Sequence, residues 1–229
     1  MRFERSEHPV GTIGLFTAEL ARYPEFWLSL EAVRAPATET MRTRLLCARG
    51  LDLVKHQNAF VEQLYGEWLW ILGDDHTFAP DLLLRLLAHQ VDVVVPLVPG
   101  RRPPFKPVIC HGPLTHNVRY TWDELPPSGL TQLPLGDVAG TAGMLIRKSV
   151  FSALKAPYFE CGQWNSQIMG EDLWFCQKLA DAGVPIHVDT DADMTHMTPC
   201  RIKVNRLIEG RAQPAIQIDY EGGTWEIGV

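Results

Sequence analysis

The sequence predicts an α/β fold in which a mixed, mainly parallel sheet is flanked by helices. Strand-like and helix-like segments alternate through residues 11–98, and this order is typical of parallel βα units. Two of the strand-like segments, residues 68–72 and 91–98, are almost continuously apolar. Strands that helices cover on both faces have this character, so we expect helices on both sides of the sheet.

The first half of the chain supplies the elements of this sheet in order. Residues 11–16 and 44–48 are short apolar runs suited to two strands. Residues 19–33, interrupted by Pro24, and residues 51–65 have apolar side chains at helical spacing, which predicts two helices. The half is completed by the strand at 68–72, a helix that Pro80 and Asp81 open and that runs to residue 88, and the Val-rich strand at 91–98.

The second half of the chain is less regular. Residues 99–136 are rich in proline, which predicts irregular structure with short antiparallel strands. Small residues lead into an apolar strand within residues 137–146; they indicate either a backbone that approaches a ligand or tight strand packing. A helix then begins at residue 171 and ends at Gly183, a good helix terminator, before a strand at 184–188.

Composition excludes several classes of protein. A chain of 229 residues with 46% apolar residues can bury a sizeable core, and its net charge of −6 argues against a nucleic-acid partner. No apolar stretch approaches the roughly 20 residues that cross a bilayer. The five cysteines are scattered and form no CxxC pair. They therefore predict free thiols and a cytoplasmic location.

Asp74, Asp75 and His76 directly follow the apolar strand at 68–72. Open α/β sheets bind their ligands at the carboxyl ends of the strands, and neighbouring carboxylates repel one another unless a cation or a proton intervenes. One interpretation is a divalent metal site that holds a phosphorylated ligand. The other is a polar turn in which Asp75 caps the next helix. These three residues alone do not distinguish the two interpretations.

A second acidic pair, Glu171 and Asp172, stands at the predicted start of a helix. The helix dipole favours negative charge there, so the pair has a purely structural interpretation as well as a catalytic one. His196 follows the last predicted strand and a series of aspartates. A lone histidine is more often structural than a metal ligand.

Taken together, these segments resemble the nucleotide-sugar glycosyltransferases of the GT-A fold, glycosyltransferase family 2 in particular. An apolar strand with Asp-Asp-His, a Gly-rich strand, Gly-Glu-Asp at a helix start and a downstream histidine follow one another within residues 12–196. The resemblance implies one Rossmann-like domain over residues 1–229, with a small antiparallel region on the acceptor side. Its nucleotide-binding half would span about 10–98 and its sugar and acceptor half about 99–200, with 201–229 as a tail or lid.

The resemblance also implies a metal site for Mn²⁺ or Mg²⁺, which would bridge the diphosphate of the donor. Two alignments with the family's Asp-x-Asp-type motif are open. Either Asp74 and His76 form an Asp-x-His variant, or Gly73 replaces the first residue of a triple-Asp pattern and Asp75 is the ligand. His196 matches the histidine that completes the metal shell in this fold. The candidate metal ligands are Asp74, Asp75, His76 and His196.

Roles for the other residues come from the same resemblance. Asp172, with Glu171 second, would deprotonate the acceptor hydroxyl in an inverting transfer. A helix start lowers the pKa of a carboxyl, so burial or substrate binding must help to set its strength as a base. The implied donor contacts are Thr17, Glu19, Asn58, Asp74, Gly140, Thr141 and Ala142. A uridine diphosphate donor is favoured on base rates alone.

Two segments depart from the family pattern or extend it. Many relatives carry Arg before the asparagine at 58, whereas this chain has Gln57, which leaves the diphosphate contacts open. The basic segment at residues 101–106 has three interpretations: a lip near the diphosphate, a site for an anionic acceptor, or a solvated loop.

The function predicted from these residues is metal-dependent transfer of a sugar from a nucleotide-diphosphate donor to a glycan or another hydroxyl acceptor. A nucleotidyltransferase that forms a nucleotide sugar is one alternative; it would need a basic, Gly-rich loop, and residues 11–17 lack the basic residue. A non-catalytic sugar-nucleotide or glycan-binding protein is the other. The retained acidic residues and His196 argue against it.

Overall fold

The first half of the chain alternates strands and helices as the sequence predicts. The computed structural model describes residues 1–17, 23–50, 52–112, 118–164, 166–198, 200–206, 212–220 and 223–228. The strands of the first half are β1 (Arg2–Arg5), β2 (Thr12–Thr17), β3 (Arg34–Ala37), β4 (Arg44–Arg49), β5 (Trp68–Gly73), β6 (His76–Phe78) and β7 (Val93–Leu97). Its helices are α1 (Pro24–Ala32), α2 (Leu53–Glu62) and α3 (Leu82–Ala88).

The second half contains many short strands and two helices. The strands are β8 (Ile109–Cys110), β9 (Leu130–Gln132), β10 (Val138–Ala139), β11 (Leu145–Arg147), β12 (Gly162–Trp164), β13 (Gln167–Met169), β14 (His187–His196), β15 (Cys200–Arg206), β16 (Ala212–Tyr220) and β17 (Gly223–Gly228). The helices are α4 (Lys148–Ala153) and α5 (Glu171–Asp181), and a short 3-10 turn spans Trp122–Glu124. None of the helices in the described part of the chain has the length and apolar character that crossing a bilayer requires.

Eight strands form the central sheet. Their order is β4-β2-β5-β11-β7-β14-β6, and β9 pairs with β14 as well. Strand β2 runs parallel to β4 and β5, and β14 runs parallel to β7. Strand β11 is antiparallel to both of its neighbours, β5 and β7. The predicted α/β fold with a mixed, mainly parallel sheet is therefore confirmed.

Alternation along β5 explains why helices cover both faces of this sheet. Leu69 and Ile71 point to one face, where they pack in a core that includes residues of α2, α4 and α5. Trp68, Trp70 and Leu72 point to the other, where the core includes residues of α1 and α3. Burying each such side chain contributes roughly 1.5–3 kcal/mol, so a strand that is apolar at every position stabilises both layers.

The structure differs from the predicted elements in several places. Pro24 opens α1 instead of interrupting a longer helix, because a proline at the first helical position lacks only an N–H that would have no partner there. Strands β1, β3 and β6 were not predicted. Strand β14 continues to His196, well beyond residue 188, because its exposed Asp191 and Asp193 alternate with buried residues and still satisfy the period of a half-buried strand.

Smaller sheets complete the described chain. Strand β1 pairs with β3, β8 with β10, and β12 with β13. The last two pairs are antiparallel and form the small antiparallel region that the sequence predicts. Strands β15, β16 and β17 form a separate three-stranded antiparallel sheet in the segment predicted as a tail or lid. The division into one domain with two halves stays a prediction.

Replacing Gly14 with alanine is expected to destabilise the protein by about 1–3 kcal/mol, as overpacking of a core does. A Cβ at Gly14 on β2 would lie 2.5 Å from Cδ2 of the Phe60 ring on α2, so the ring or the strand must move. Urea unfolding measures the change. In the Phe60→Leu background the ring is gone and the added methyl group should cost much less. Equal costs in the two backgrounds would contradict this explanation.

Candidate functional site

The pairing of β6 with β14 brings two histidines together from distant parts of the sequence. The antiparallel register sets His76 directly opposite His196. Their rings are stacked, with centroids 4.3 Å apart and planes inclined by 26°. The amide of Met197 donates a hydrogen bond of 2.7 Å to the carbonyl of Asp75, which fixes the turn between β5 and β6 against the end of β14.

Asp75 joins these histidines in a compact cluster. One ligand atom from each of Asp75, His76 and His196 lies within 4.8 Å of the other two. Nδ1 of His196 lies 2.9 Å from the carbonyl oxygen of Pro99. A carbonyl only accepts hydrogen bonds, so Nδ1 carries a proton, and in the neutral ring Nε2 then keeps its lone pair. That Nε2 lies 3.6 Å from Oδ2 of Asp75, and metal-binding histidines are oriented in this way.

His76 is buried, and neither of its ring nitrogens has a hydrogen-bond partner. Oδ1 of Asp75 lies only 2.9 Å from Nδ1 of His76, but the direction does not satisfy hydrogen-bond geometry. A buried polar atom without a partner is costly, and such atoms are uncommon in folded proteins. A cation bound to a ring nitrogen of His76 is one arrangement that would give that nitrogen a partner.

The Asp75 carboxylate is held in its charged form. Burial alone would raise its pKa, but the two imidazoles of His196 and His76 beside the carboxylate outweigh burial and hold the pKa well below its ordinary value. Nη1 of Arg101 also donates to Oδ2 of Asp75 at 3.1 Å. An ionised carboxylate beside two imidazoles is a donor set that fits a divalent transition-metal ion.

Gly73 makes room for this arrangement. A Cβ at position 73 would lie 3.2 Å from both Oδ1 of Asp75 and Cε2 of Phe16, which is closer than ordinary van der Waals contact. Steric crowding therefore explains why glycine stands at position 73, where many relatives carry Asp. Asp74 is buried and lies next to the cluster in sequence, yet it is Asp75 that meets the two histidines.

A cleft of about 330 Å³ contains most of the predicted site residues. It opens at the carboxyl ends of β2 and β5, where α/β folds bind ligands. The predicted residues that line it are Thr17, Asp74, Asp75, His76, Gly140, Thr141, Ala142, Asp172 and His196. Its other lining residues are Phe16, Gly50, Leu53, Arg101 and Val108. Of these, the sequence indicated only Arg101, through its basic segment.

Asn58 does not join the cleft. Its Nδ2 donates to the carbonyls of Val54 and Phe159, at 2.8 Å and 2.6 Å. Its Oδ1 accepts hydrogen bonds from the amides of Tyr158 and Phe159, at 2.9 Å and 3.2 Å. The side chain thus ties α2 to the segment before β12, and its contact with the donor stays a prediction. The predicted contact at Glu19 lies outside the described residues.

Gln57 has a role that sequence reasoning missed. Its side chain is fully buried, and its Nε2 donates to Oγ1 of Thr141 at 3.1 Å. Thr141 lines the cleft. The residue that departs from the family's arginine therefore orients a cleft residue. The only sign of this role in the sequence was that Gln57 stands where many relatives carry Arg.

Asp172 and Glu171 occupy the first turn of α5, where Gly170 is the N-cap. Burial raises the pKa of Asp172, and the hydrogen bonds from Leu173 and from its own backbone amide, together with the charge of Arg119, only partly offset this. Burial, and then the charge of Asp172, raise the pKa of Glu171. The effect of burial on these two pKa values therefore outweighs the effect of the helix start. Glu171 does not line the cleft.

Comparisons with known proteins bear on the fold. No family model and no curated protein matches the sequence. A crystal structure of GalNAc-T7 with UDP, GalNAc and Mn²⁺ is similar over 82% of this chain, with a TM-score of 0.53 and 12% identity. The chain has the GT-A fold.

The GT-A fold that the resemblance implies is therefore confirmed. A structure of S. aureus TarS in complex with UDP-GlcNAc is similar over 87% of the chain, with a TM-score of 0.47 and 13% identity. The matched regions cover 43% of the GalNAc-T7 chain and 59% of the TarS chain. The GT-A chain described here therefore spans about half the length of these structures.

Proposed function

We propose that the protein is a metal-dependent, inverting glycosyltransferase that transfers a sugar from a UDP-sugar to a hydroxyl acceptor. One observation carries the proposal. A single cleft contains both the Asp75, His76 and His196 cluster and a separate carboxylate, Asp172, whose pKa is raised. The GalNAc-T7 structure, which has the same fold, holds UDP and Mn²⁺ and supports the choice of nucleotide and metal.

The proposed metal ligands are Asp75, His76 and His196. Mg²⁺ takes oxygen ligands almost exclusively, whereas imidazole nitrogens bind transition metals, so two histidines favour Mn²⁺ over Mg²⁺. The cation, when bound, neutralises charge on the leaving diphosphate. Arg101, which reaches Asp75, adds a second positive charge there. Asp74 stays in the proposal as a contact to the donor, because it is buried at the cleft wall.

Asp172 is the proposed base. Its carboxylate takes the proton of the acceptor hydroxyl, the hydroxyl oxygen forms a bond to the anomeric carbon, and the bond from that carbon to the diphosphate breaks. The diphosphate leaves with the electron pair. A raised pKa makes the carboxylate a stronger base, at the expense of its ionised fraction at low pH. Glu171 is the second candidate for this role.

The remaining donor contacts follow the walls of the cleft. Gly140, Thr141 and Ala142 are the proposed contacts to the donor sugar, and Thr17 is a proposed contact to the nucleotide, as Glu19 is from sequence alone. Gln57 would act on the sugar through Thr141. A cytoplasmic location also belongs to the proposal and is supported by the scattered cysteines, which form no CxxC pair.

A panel of nucleotide sugars tests the proposal. The wild-type protein is incubated with UDP-glucose, UDP-galactose, UDP-GlcNAc, UDP-GalNAc and GDP-mannose, each with Mn²⁺ and again with excess EDTA. We expect at least one UDP-sugar to raise the thermal unfolding midpoint and to release UDP slowly by hydrolysis, both only with Mn²⁺. If no donor binds in a metal-dependent manner, the glycosyltransferase proposal is wrong.

A further inference from the structure

A second cavity, of about 400 Å³, adjoins the cleft on the side away from the metal-ligand cluster. The two spaces share Val108, Gly140 and Asp172 as lining residues. None of Asp75, His76 and His196 lines the second cavity. Asp172 therefore stands at the junction of the two spaces, where a base must stand if donor and acceptor enter from opposite sides.

The second cavity is basic. Arg102 and Arg119 line it, and Asp172 is the one acidic side chain in its described lining. Burial raises the pKa of that carboxyl, which weakens its repulsion of an anion at low pH. Guanidinium groups bind phosphate and carboxylate oxygens through paired hydrogen bonds. Two of them in one cavity are suited to an oxyanion.

The position of Arg119 is determined by the surrounding chain. Its backbone forms an antiparallel bridge with Cys110, next to β8. Its guanidinium packs over Gly100: a Cβ there would lie only 2.2 Å from Nη1 of Arg119. A side chain at position 100 would displace the guanidinium, so the glycine permits the arrangement.

The basic loop divides between the two spaces. Arg101 lines the cleft and reaches Asp75 there. Arg102, the next residue, lines the second cavity instead. One loop therefore supplies a positive charge to each side of Asp172. Of the interpretations of this segment that the sequence left open, the geometry favours two at once, one for each arginine.

We propose that the acceptor carries an anionic group, a phosphate ester or a carboxylate, which Arg102 and Arg119 bind while the reacting hydroxyl faces Asp172. This inference rests on the proposed function and specifies its acceptor class. The donor diphosphate is assigned to the other side of Asp172, at the metal-ligand cluster.

The test is binding of simple anionic probes in the presence of UDP and Mn²⁺, measured by calorimetry. Glucose 6-phosphate represents a phosphate ester, glucuronate represents a carboxylate, and glucose is the neutral control. We expect glucose 6-phosphate or glucuronate to bind while UDP is bound, and glucose to bind far more weakly. Arg119→Gln should weaken that binding by about tenfold or more, the loss of one charged hydrogen-bonding group, and Arg119→Lys should weaken it less.

Two controls separate the possible causes. Arg5→Gln removes one positive charge from an exposed ion pair with Glu39, outside both cavities, and should leave all affinities unchanged. Arg119→Gln should keep its affinity for UDP and Mn²⁺ within about twofold, because Arg119 does not line the donor cleft.

Three results would overturn the inference: none of the anionic probes binds, the probes compete with UDP, or Arg119→Gln binds them as tightly as the wild-type protein does. Competition with UDP would assign the second cavity to the donor. Failure of UDP to bind with Mn²⁺ is a different result and would reject the proposed function itself, whatever the anionic probes do.

Discussion

Replacing Asp172 with asparagine is expected to lower sugar transfer by about 10²–10⁴-fold, the usual contribution of a general base. The amide has nearly the same shape but cannot take up the hydroxyl proton. Binding of UDP and Mn²⁺ should stay within about twofold of the wild-type value, because Asp172 is not among the proposed metal ligands. Steady-state transfer and calorimetry of UDP binding measure the two effects separately.

The pH profile tests the same assignment. Transfer by the wild-type protein should fall as the pH drops through the raised pKa of Asp172, where the carboxylate becomes protonated. The positive charge of Arg119 lowers that pKa, so Arg119→Gln should raise it and move the acid limb of kcat/KM to higher pH. Glu171→Gln is the matched control and should shift the acid limb of kcat/KM much less. Wild-type transfer by Asp172→Asn would reject Asp172 as the base.

The second large effect is expected at Asp75. Asp75→Asn should weaken Mn²⁺ binding by at least about 10–100-fold, the loss seen when residues that merely support a metal ligand are changed. It removes the negative charge that lies between His76 and His196. Donor binding and transfer should both fall as a result. Electron paramagnetic resonance of free and bound Mn²⁺ measures the affinity directly.

Variants of the neighbouring acids distinguish the two motif alignments. If Asp75 is the ligand, Asp74→Asn should retain Mn²⁺ affinity in the absence of nucleotide and weaken only the binding of the donor. Asp193→Asn, on the exposed face of β14 near His196, is the control for a general loss of negative charge. If the Asp74→Asn variant lost affinity for Mn²⁺ and the Asp75→Asn variant kept it, the result would instead support the Asp-x-His alignment.

Local periodicity made much of this fold predictable. Residues 68–72 are apolar at every position because each of them packs on a helix layer, and β7 follows the same rule. The carboxyl end of such a strand is a known place for ligands, and the acidic residues after β5 do line the cleft. What the sequence predicts best are elements whose pattern is complete within one segment.

Features that depend on distant pairing could not be predicted in this way. Strand β11 enters the sheet antiparallel, between β5 and β7, and three residues carry no signal of direction. Strand β6 is equally short and exists because it pairs with the end of β14. The hydrogen bonds of Asn58 could not be predicted for the same reason: its partners, Tyr158 and Phe159, lie in a segment that no local rule connects to α2.

The pairing of β6 with β14 also affects how the chain responds to its ligands. His76 belongs to the first half of the chain and His196 to the end of the second, so a cation held by both would tie together the two ends of a very long loop. Such a cross-link penalises the unfolded chain, which must give up loop entropy to keep it. Loading with metal would then raise the free energy of unfolding of the whole chain, because only the folded chain holds both histidines in place.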